Sequence, residues 1–310
     1  MEFHAVASSR NDPVTAQRVA LVTGGTDGIG KAIAHVLASQ GMSVVVVGSN
    51  AVKGAIAVRE LQRSSGNEGV EFLQADLSLI RNVDALAAQV AERWPRLHYL
   101  VHCAGIVRGR HTLTPEGIET NFAVNYLSRF ALTDALLPCL ALGGAAGSAA
   151  RIFLVSGAAQ NGKIDFEDVN LTGRFGILRC VSQFCEANDL FVLELGRRLA
   201  EMSPPFITAT VLKVGVVRTN IRLQFPAWMK LLVPLLMDPF LSQSPEQIAA
   251  SARCLLLGAK FEGVTGAIFR HIRRFKKLQP GQRTGDPERG QRLWNLSEQL
   301  IREARVRSHA

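Results

Sequence analysis

Thr23-Gly24-Gly25-Thr26-Asp27-Gly28-Ile29-Gly30 stands directly between an apolar run, Val19-Ala20-Leu21-Val22-Thr23, and a segment of helical spacing over 31–40 that Gly41 stops. A short apolar run ending in glycines reads as a buried parallel strand. In the segment that follows, Ile33, Val36 and Leu37 share one helical face. Strand, glycine-rich turn and helix in this order make an anion-binding device. Gly24 permits the tight turn, Gly28 lets the backbone approach a pyrophosphate, and Gly30 lets helix and strand pack closely. The helix N-terminus adds unpaired N–H groups and a partial positive charge. The reading is a dinucleotide site whose first contacts are Gly24, Thr26, Asp27, Gly28, Ile29 and Gly30.

Outward from this turn the pattern repeats. Val44-Val45-Val46-Val47 is a second buried strand, followed by a helix over 52–64 and a third strand, Val70-Glu71-Phe72-Leu73. A helix over 86–94 and a fourth strand, Tyr99-Leu100-Val101-His102, come next. Then follow a helix over 125–140, the strand Ile152-Phe153-Leu154-Val155, a long helix over 179–202 and a sixth strand over 207–212. A helix over 246–257 and a short strand near Ile268 complete the series. The alternation predicts an α/β fold with a doubly wound parallel sheet, a Rossmann fold of three layers in a single domain. A polar leader (1–17) precedes the domain (18–310); within it, 216–245 reads as a substrate lid and 270–310 as a basic C-terminal stretch.

The end of the second strand bears on the choice of nicotinamide cofactor, because an acid there binds a ribose 2′-hydroxyl and a base accepts a 2′-phosphate. Val47-Gly48-Ser49-Asn50 carries no acid and Lys53 follows closely, so Ser49, Asn50 and Lys53 lean the reading to NADP over NAD.

Composition sets the remaining bounds. With 47% hydrophobic and 20% charged residues the chain has the makings of a large core and not of a disordered segment. Five cysteines at irregular spacing, with no CxxC pair, argue against a disulfide framework or a zinc site, so no metal is expected and a reducing, cytoplasmic location is. The N-terminus lacks the apolar core of a signal peptide, and no uninterrupted apolar run reaches the length of a membrane span. The net charge of +9 is concentrated in the tail, where eleven Lys or Arg from Arg270 onward face four acids. Arg273-Arg274-Phe275-Lys276-Lys277 is basic enough to touch nucleic acid or anionic lipid, but no nucleic-acid motif accompanies it. The expected reading of this stretch is a solvated tail and helix, with no nucleic-acid partner.

At this point the chain resembles the short-chain dehydrogenase/reductase superfamily. The TGxxxGIG turn carries the likeness first, and further matches fall in order. Asp76-Leu77 is similar to the pair that holds adenine, and His102-Cys103-Ala104-Gly105 to the NNAG segment, so Asp76, Leu77, Cys103, Ala104 and Gly105 are implied cofactor contacts. Asn125-Tyr126-Leu127-Ser128-Arg129-Phe130 resembles NxxGxF, whose asparagine is structural and catalytic. Gly215-Val216-Val217-Arg218-Thr219 is similar to the PGxxxT turn, which implies Gly215, Val216 and Thr219 over the nicotinamide. The segments 162–168, 262–266 and 292–298 resemble the retinol-dehydrogenase-like branch.

In that family a tyrosine is the general acid or base, a lysine four residues later lowers its pKa, and a serine polarises the carbonyl oxygen. Laying the branch's YxxSKLAN pattern on Ala187-Asn188 puts Val181 at the tyrosine position and Cys185 at the lysine position. The only tyrosines, Tyr99 and Tyr126, lie elsewhere. Ser156 or Gly157 takes the serine position, according to alignment. General acid–base catalysis contributes roughly 10²–10⁴-fold, so the losses bear on function. The candidate catalytic residues are Asn125, Ser156 and Cys185, the last as a thiol donor or as plain core. Three functions stay open. One is an NAD(P)(H) oxidoreductase acting on an apolar small molecule with a non-standard proton donor. The others are an isomerase or dehydratase using the same pocket, and a non-catalytic dinucleotide-binding protein. Bulky apolar residues such as Trp228, Met229 and Leu231 suit either a lid or a packing surface, and a homo-oligomer is left open.

Overall fold

Every second residue of the first two strands faces the same way, and the two sets face different helices. In the computed structural model, Ala20, Val22, Val44 and Val46 join one core with Ile33, Leu37, Leu61, Ile248 and Leu255. Leu21, Val45 and Val47 join the other, with Val83, Leu136, Phe191 and Trp294. A sheet covered on both faces needs apolar side chains at odd and even positions alike, which is why these strands show no polar alternation. The structure describes residues 17–144, 148–159, 162–201, 206–215, 217, 243–272 and 275–309.

The strands are β1 (Val19–Thr23), β2 (Ser43–Gly48), β3 (Val70–Gln74), β4 (Tyr99–His102), β5 (Ala150–Gly157), β6 (Ile207–Val214), β7 (Ala267–His271) and β8 (Phe275–Leu278). Their order across the sheet is β3-β2-β1-β4-β5-β6-β7-β8. All neighbours run parallel except the last pair, where β8 returns antiparallel to β7. The sheet is the doubly wound parallel one expected, with this antiparallel strand added at its edge. Phe275, Lys276 and Lys277 are exposed there, the charged edge that discourages further strand pairing.

One face carries α1 (Gly28–Ala38), α2 (Ala51–Ser65) and α6 (Pro245–Leu257). The other carries α3 (Ile80–Arg93), α4 (Thr120–Gly144), α5 (Ile177–Ala200) and α7 (Pro287–His309). Helix α3 begins six residues before its expected start. Its N-cap, Leu79, has no capping side chain; instead Glu116 from a distant loop accepts from the Ile80 and Arg81 N–H groups at 2.6 and 3.1 Å. Helix α4 likewise starts early, capped by Glu119, which accepts from Phe122 N at 2.8 Å. It is long and apolar enough to cross a membrane by composition, but 67% of that stretch is buried inside the protein, as befits a core helix.

The C-terminal stretch is no solvated tail. Leu293, Trp294, Ile301 and Ala304 of α7 are buried. Trp294 lies 4.8 Å from the ring of Phe130 on α4, and Tyr126 Oη shares a hydrogen bond of 2.7 Å with Ser297. Several of the helix's basic residues lie against acids: Arg305 holds Asp84 at 2.9 Å, and Arg292 pairs with Glu167. The expected basic run at 273–277 is described only from Phe275 onward.

Candidate active site

The strand order reverses direction between β1 and β4, and the loops leaving the C-terminal ends of β1, β2, β4, β5 and β6 gather there. Open sheets of this kind bind ligands at that switch point. Gly24 has φ +65°, and a Cβ on it would stand 2.7 Å from Ala104 N. A Cβ on Gly30 would strike the Gly24 carbonyl and sit 3.1 Å from Cys103 Cβ. The turn is therefore closed against the β4 loop so tightly that these two positions admit only hydrogen. Asp27 caps α1, its carboxylate accepting from Gly28 N at 2.7 Å. Thr26 lies against Gly48 at the end of β2, while Ile29 is half-buried against the α1-side core.

The other implied cofactor contacts line the same rim. Asn50 caps α2 by accepting from Lys53 N at 2.9 Å, which leaves Lys53 exposed beside it and the Ser49 carbonyl bonded to Gln74 at 3.1 Å. Asp76 is exposed and accepts from Ser78 N, and Leu77 is buried beneath it. Cys103 N and Ala104 N both donate to Thr23 Oγ1, at 3.2 and 3.3 Å, which fixes the β4 loop to β1. His102 points away from this rim into the core, bonded to Thr133 Oγ1 at 2.9 Å; burial, aided by Arg129, holds its pKa well below the ordinary value. Gly215 follows β6 at the edge of the site, whereas Val216, Thr219 and nearly all of the lid expected at 216–245 lie outside the described residues.

Asn125 sits in a π-turn, Ala123–Leu127, of α4. Its amide is fully engaged: Nδ2 donates to Ile106 O and Asn121 O at 2.8 Å, and Oδ1 accepts from Ile106 N at 3.1 Å. The wider turn leaves the Asn125 carbonyl free to accept from Asn188 Nδ2 of α5 at 3.0 Å. Asn125 thus ties α4 to the β4 loop and to α5, and it lies within 2.9 Å of where a Cβ on Gly105 would be.

Ser156 and Gly157 both end β5 against α5. In β5, Ile152 and Leu154 face α5, whereas Phe153 and Val155 face the α1 side. Ser156 continues the α5-facing set and is 5% exposed. Its Oγ is buried and makes no hydrogen bond of good geometry, although the Cys185 thiol approaches it. That thiol also lies on Gly157, 2.9 Å from where a Cβ would be. Cys185 is fully buried, and burial pushes its pKa up against the opposing pull of Lys213. Val181, one turn earlier, is half-buried, and α5 carries neither tyrosine nor lysine.

Two charged groups went unseen in the sequence reading. Arg129, on α4, is buried with its guanidinium donating to Val155 O and Ala104 O at 2.8 Å and to Asn188 Oδ1 at 3.1 Å. Burial lowers its pKa to about 10. Lys213, on β6, is wholly buried and pairs with Asp189 of α5. The signal was present as a lone cation inside the otherwise uncharged strand Ile207–Val214, since a buried charge must find a partner.

An α/β sheet with a glycine-gated turn at its switch point is the framework of a dinucleotide-binding protein. The sequence pattern described as short chain dehydrogenase matches residues 18–167. Polyprenol dehydrogenase of Homo sapiens is 31% identical over 286 residues, covering 92% of this chain and 85% of that protein. Retinol dehydrogenase 12 of Bos taurus is 30% identical over 303 residues, covering 97% and 91%. Among solved structures, an uncharacterised protein from Mycobacterium Paratuberculosis superposes with TM-score 0.71 at 27% identity, covering 93% of this chain and 94% of that one. The RhlG/NADP complex of Pseudomonas aeruginosa superposes at 0.67 with 24% identity, covering 83% and 95%. The chain belongs to the short-chain dehydrogenase/reductase family.

Proposed function

We propose that this chain is a nicotinamide-dependent oxidoreductase that interconverts a carbonyl and an alcohol on an apolar small molecule. The observation that carries the reading is the closed turn at Gly24 and Gly30, which brings the β1 turn and the N-terminus of α1 against the β4 loop. A dinucleotide fits the residues present. The pyrophosphate would lie on the α1 N-terminus, adenine beside Asp76 and Leu77, and the nicotinamide near Asn125 and Ser156. Exposed Lys53, with no acid at the end of β2, favours NADP over NAD. The relatives named for retinol and polyprenol, both long apolar alcohols, support an apolar substrate class.

The nicotinamide, when bound, supplies or receives the hydride. The chain's own part is to orient and to move a proton. Asn125 fixes the floor between α4 and α5, and Ser156 is the hydroxyl assigned to the substrate oxygen.

The test is titration with NADPH and NADH, following nicotinamide fluorescence and thermal stability together. Binding that raises stability in proportion to the logarithm of ligand concentration supports the reading; failure of both cofactors at about millimolar concentration removes it. A second reading, a dinucleotide-binding protein without turnover, is favoured by Val181 and Cys185 standing where the family has tyrosine and lysine. Cofactor binding without oxidation of NADPH by any carbonyl or quinone would select it.

A further inference from the structure

Ser156 and Lys213 are partners in the register of β5 and β6. Both face α5: Ala209 and Val211 belong to the α5-side core, Leu212 and Val214 to the other, so Lys213 continues the first set. From α5, Cys185 and Asp189 come to meet them one turn apart. Asp189 pairs with Lys213 through Oδ2, while its Oδ1 is buried without a partner, as is Ser156 Oγ. Four polar groups, all at least nine-tenths buried, therefore converge behind the end of β5. Such a buried ion pair contributes little net stability compared with apolar side chains of the same volume, so stability alone is a poor reason for its presence. A buried charge pair with polar atoms left unpartnered beside it, near the end of a strand, is a candidate for function.

We propose that Lys213, delivered from β6 and fixed by Asp189, is the positioning residue that provides an ammonium charge beside Ser156, at the place where α5 carries Cys185. This rests on the oxidoreductase reading above. In carbonyl reduction the hydride comes from the dihydronicotinamide. The Ser156 Oγ–H bond breaks as its proton passes to the substrate oxygen, where the new O–H bond forms. The electron pair left on Oγ is stabilised by the Lys213 charge until solvent returns a proton. Lys213 touches neither substrate nor cofactor and acts through Ser156. The other ionisable groups around the cluster are Cys185 and Glu186 on α5 and Arg129 on α4; the Glu186 carboxylate is bonded to Thr284 at 2.9 Å.

The experiment uses the full chain with Lys213→Met/Asp189→Leu, which removes both charges and leaves no orphan ion, and with Lys213→Arg. Three quantities are read: NADPH affinity, NADPH oxidation by an aromatic 1,2-dione, and the absorption spectrum of 4-nitrophenol added without cofactor. The expected result is a double variant that binds NADPH within about threefold of the parent while kcat falls about 100-fold at similar KM. The parent alone shifts bound nitrophenol toward its phenolate band, with affinity about tenfold above that of the double variant, and Lys213→Arg retains the shift. An unchanged kcat and an unchanged nitrophenol spectrum in the double variant overturn the assignment of Lys213 while leaving the oxidoreductase reading intact. Equal loss of NADPH affinity and activity also overturns it, in favour of a purely structural pair. A parent that binds NADPH but never oxidises it removes the oxidoreductase reading itself, and Lys213's role with it.

Discussion

Replacing Gly30 by alanine puts a methyl group into the carbonyl of Gly24 and within 3.1 Å of Cys103 Cβ. Neither obstacle is the end of a flexible side chain: one is backbone, the other the root of a residue whose N–H is bonded to Thr23. The helix must retreat from the strand. Overpacking of this kind costs about 1–3 kcal/mol, or about 2–4 °C in Tm for each kcal/mol in a domain of roughly this size. The N–H groups at the start of α1 move with the helix, so a bound pyrophosphate loses their alignment. If about 1.4 kcal/mol of that contact is lost, NADPH affinity falls tenfold. Gly41→Ala is the control. Gly41 has φ +76° and nothing within 4 Å of a new Cβ, so alanine there costs about 1–2 kcal/mol of backbone strain. It stops α1 at the far end from the turn. Fluorescence titration and thermal unfolding of both variants should show similar losses of stability, with weakened NADPH binding in Gly30→Ala alone. Equal affinities in the two variants would refute the placement of the dinucleotide on this turn.

Further outcomes follow from the buried groups. Arg129→Met leaves the Val155 and Ala104 carbonyls without their donor, and at about 1–3 kcal/mol for each unsatisfied group urea unfolding should register a loss of about 2–6 kcal/mol. Trp294→Ala removes the ring packed on Phe130 and under the Arg198 guanidinium; a loss of about 3–5 kcal/mol is expected, with proteolysis of α7 preceding that of the sheet. Asp189 is pushed up to about 6 by burial, against the pull of Lys213. The folded state therefore holds its proton more tightly than the unfolded chain. The contribution of this group to stability is largest below about pH 4 and declines as pH rises toward 6. Asp189→Asn should flatten that part of the stability–pH curve, measured by urea midpoints.

Much of this fold can be read directly from residues. The strands declare themselves because both faces of the sheet are buried, so Val44 to Val47 are all apolar, and the turn is written in glycines whose absent side chains the structure accounts for. What stayed hidden depends on partners far away in sequence. Glu116 caps α3 from more than thirty residues downstream, and no local pattern near Ile80 foretells it. Strand β8 is half charged, and its antiparallel pairing with β7 and the stacking of Phe275 on Phe269 come from a residue pair no local pattern joins. Nothing near Cys185 in sequence foretells Lys213; only the register of β5 with β6 sets it beside Ser156, where it pairs with Asp189 of α5. Such pairing across elements leaves each segment looking ordinary by itself.

The seating of α7 also bears on when the protein can be finished. Trp294 and Ser297 complete contacts with Phe130 and Tyr126, the latter 171 residues earlier in the chain. As the chain is synthesised, the aromatic face of α4 and α5 emerges before its cover, because α7 follows the whole sheet in chain order. For that interval the nascent chain carries an open greasy surface, and the emergence of α7, not completion of the dinucleotide site, is the event that closes it. A substitution that loosens α7 from this face would therefore act first on yield, long before any effect on chemistry could be seen.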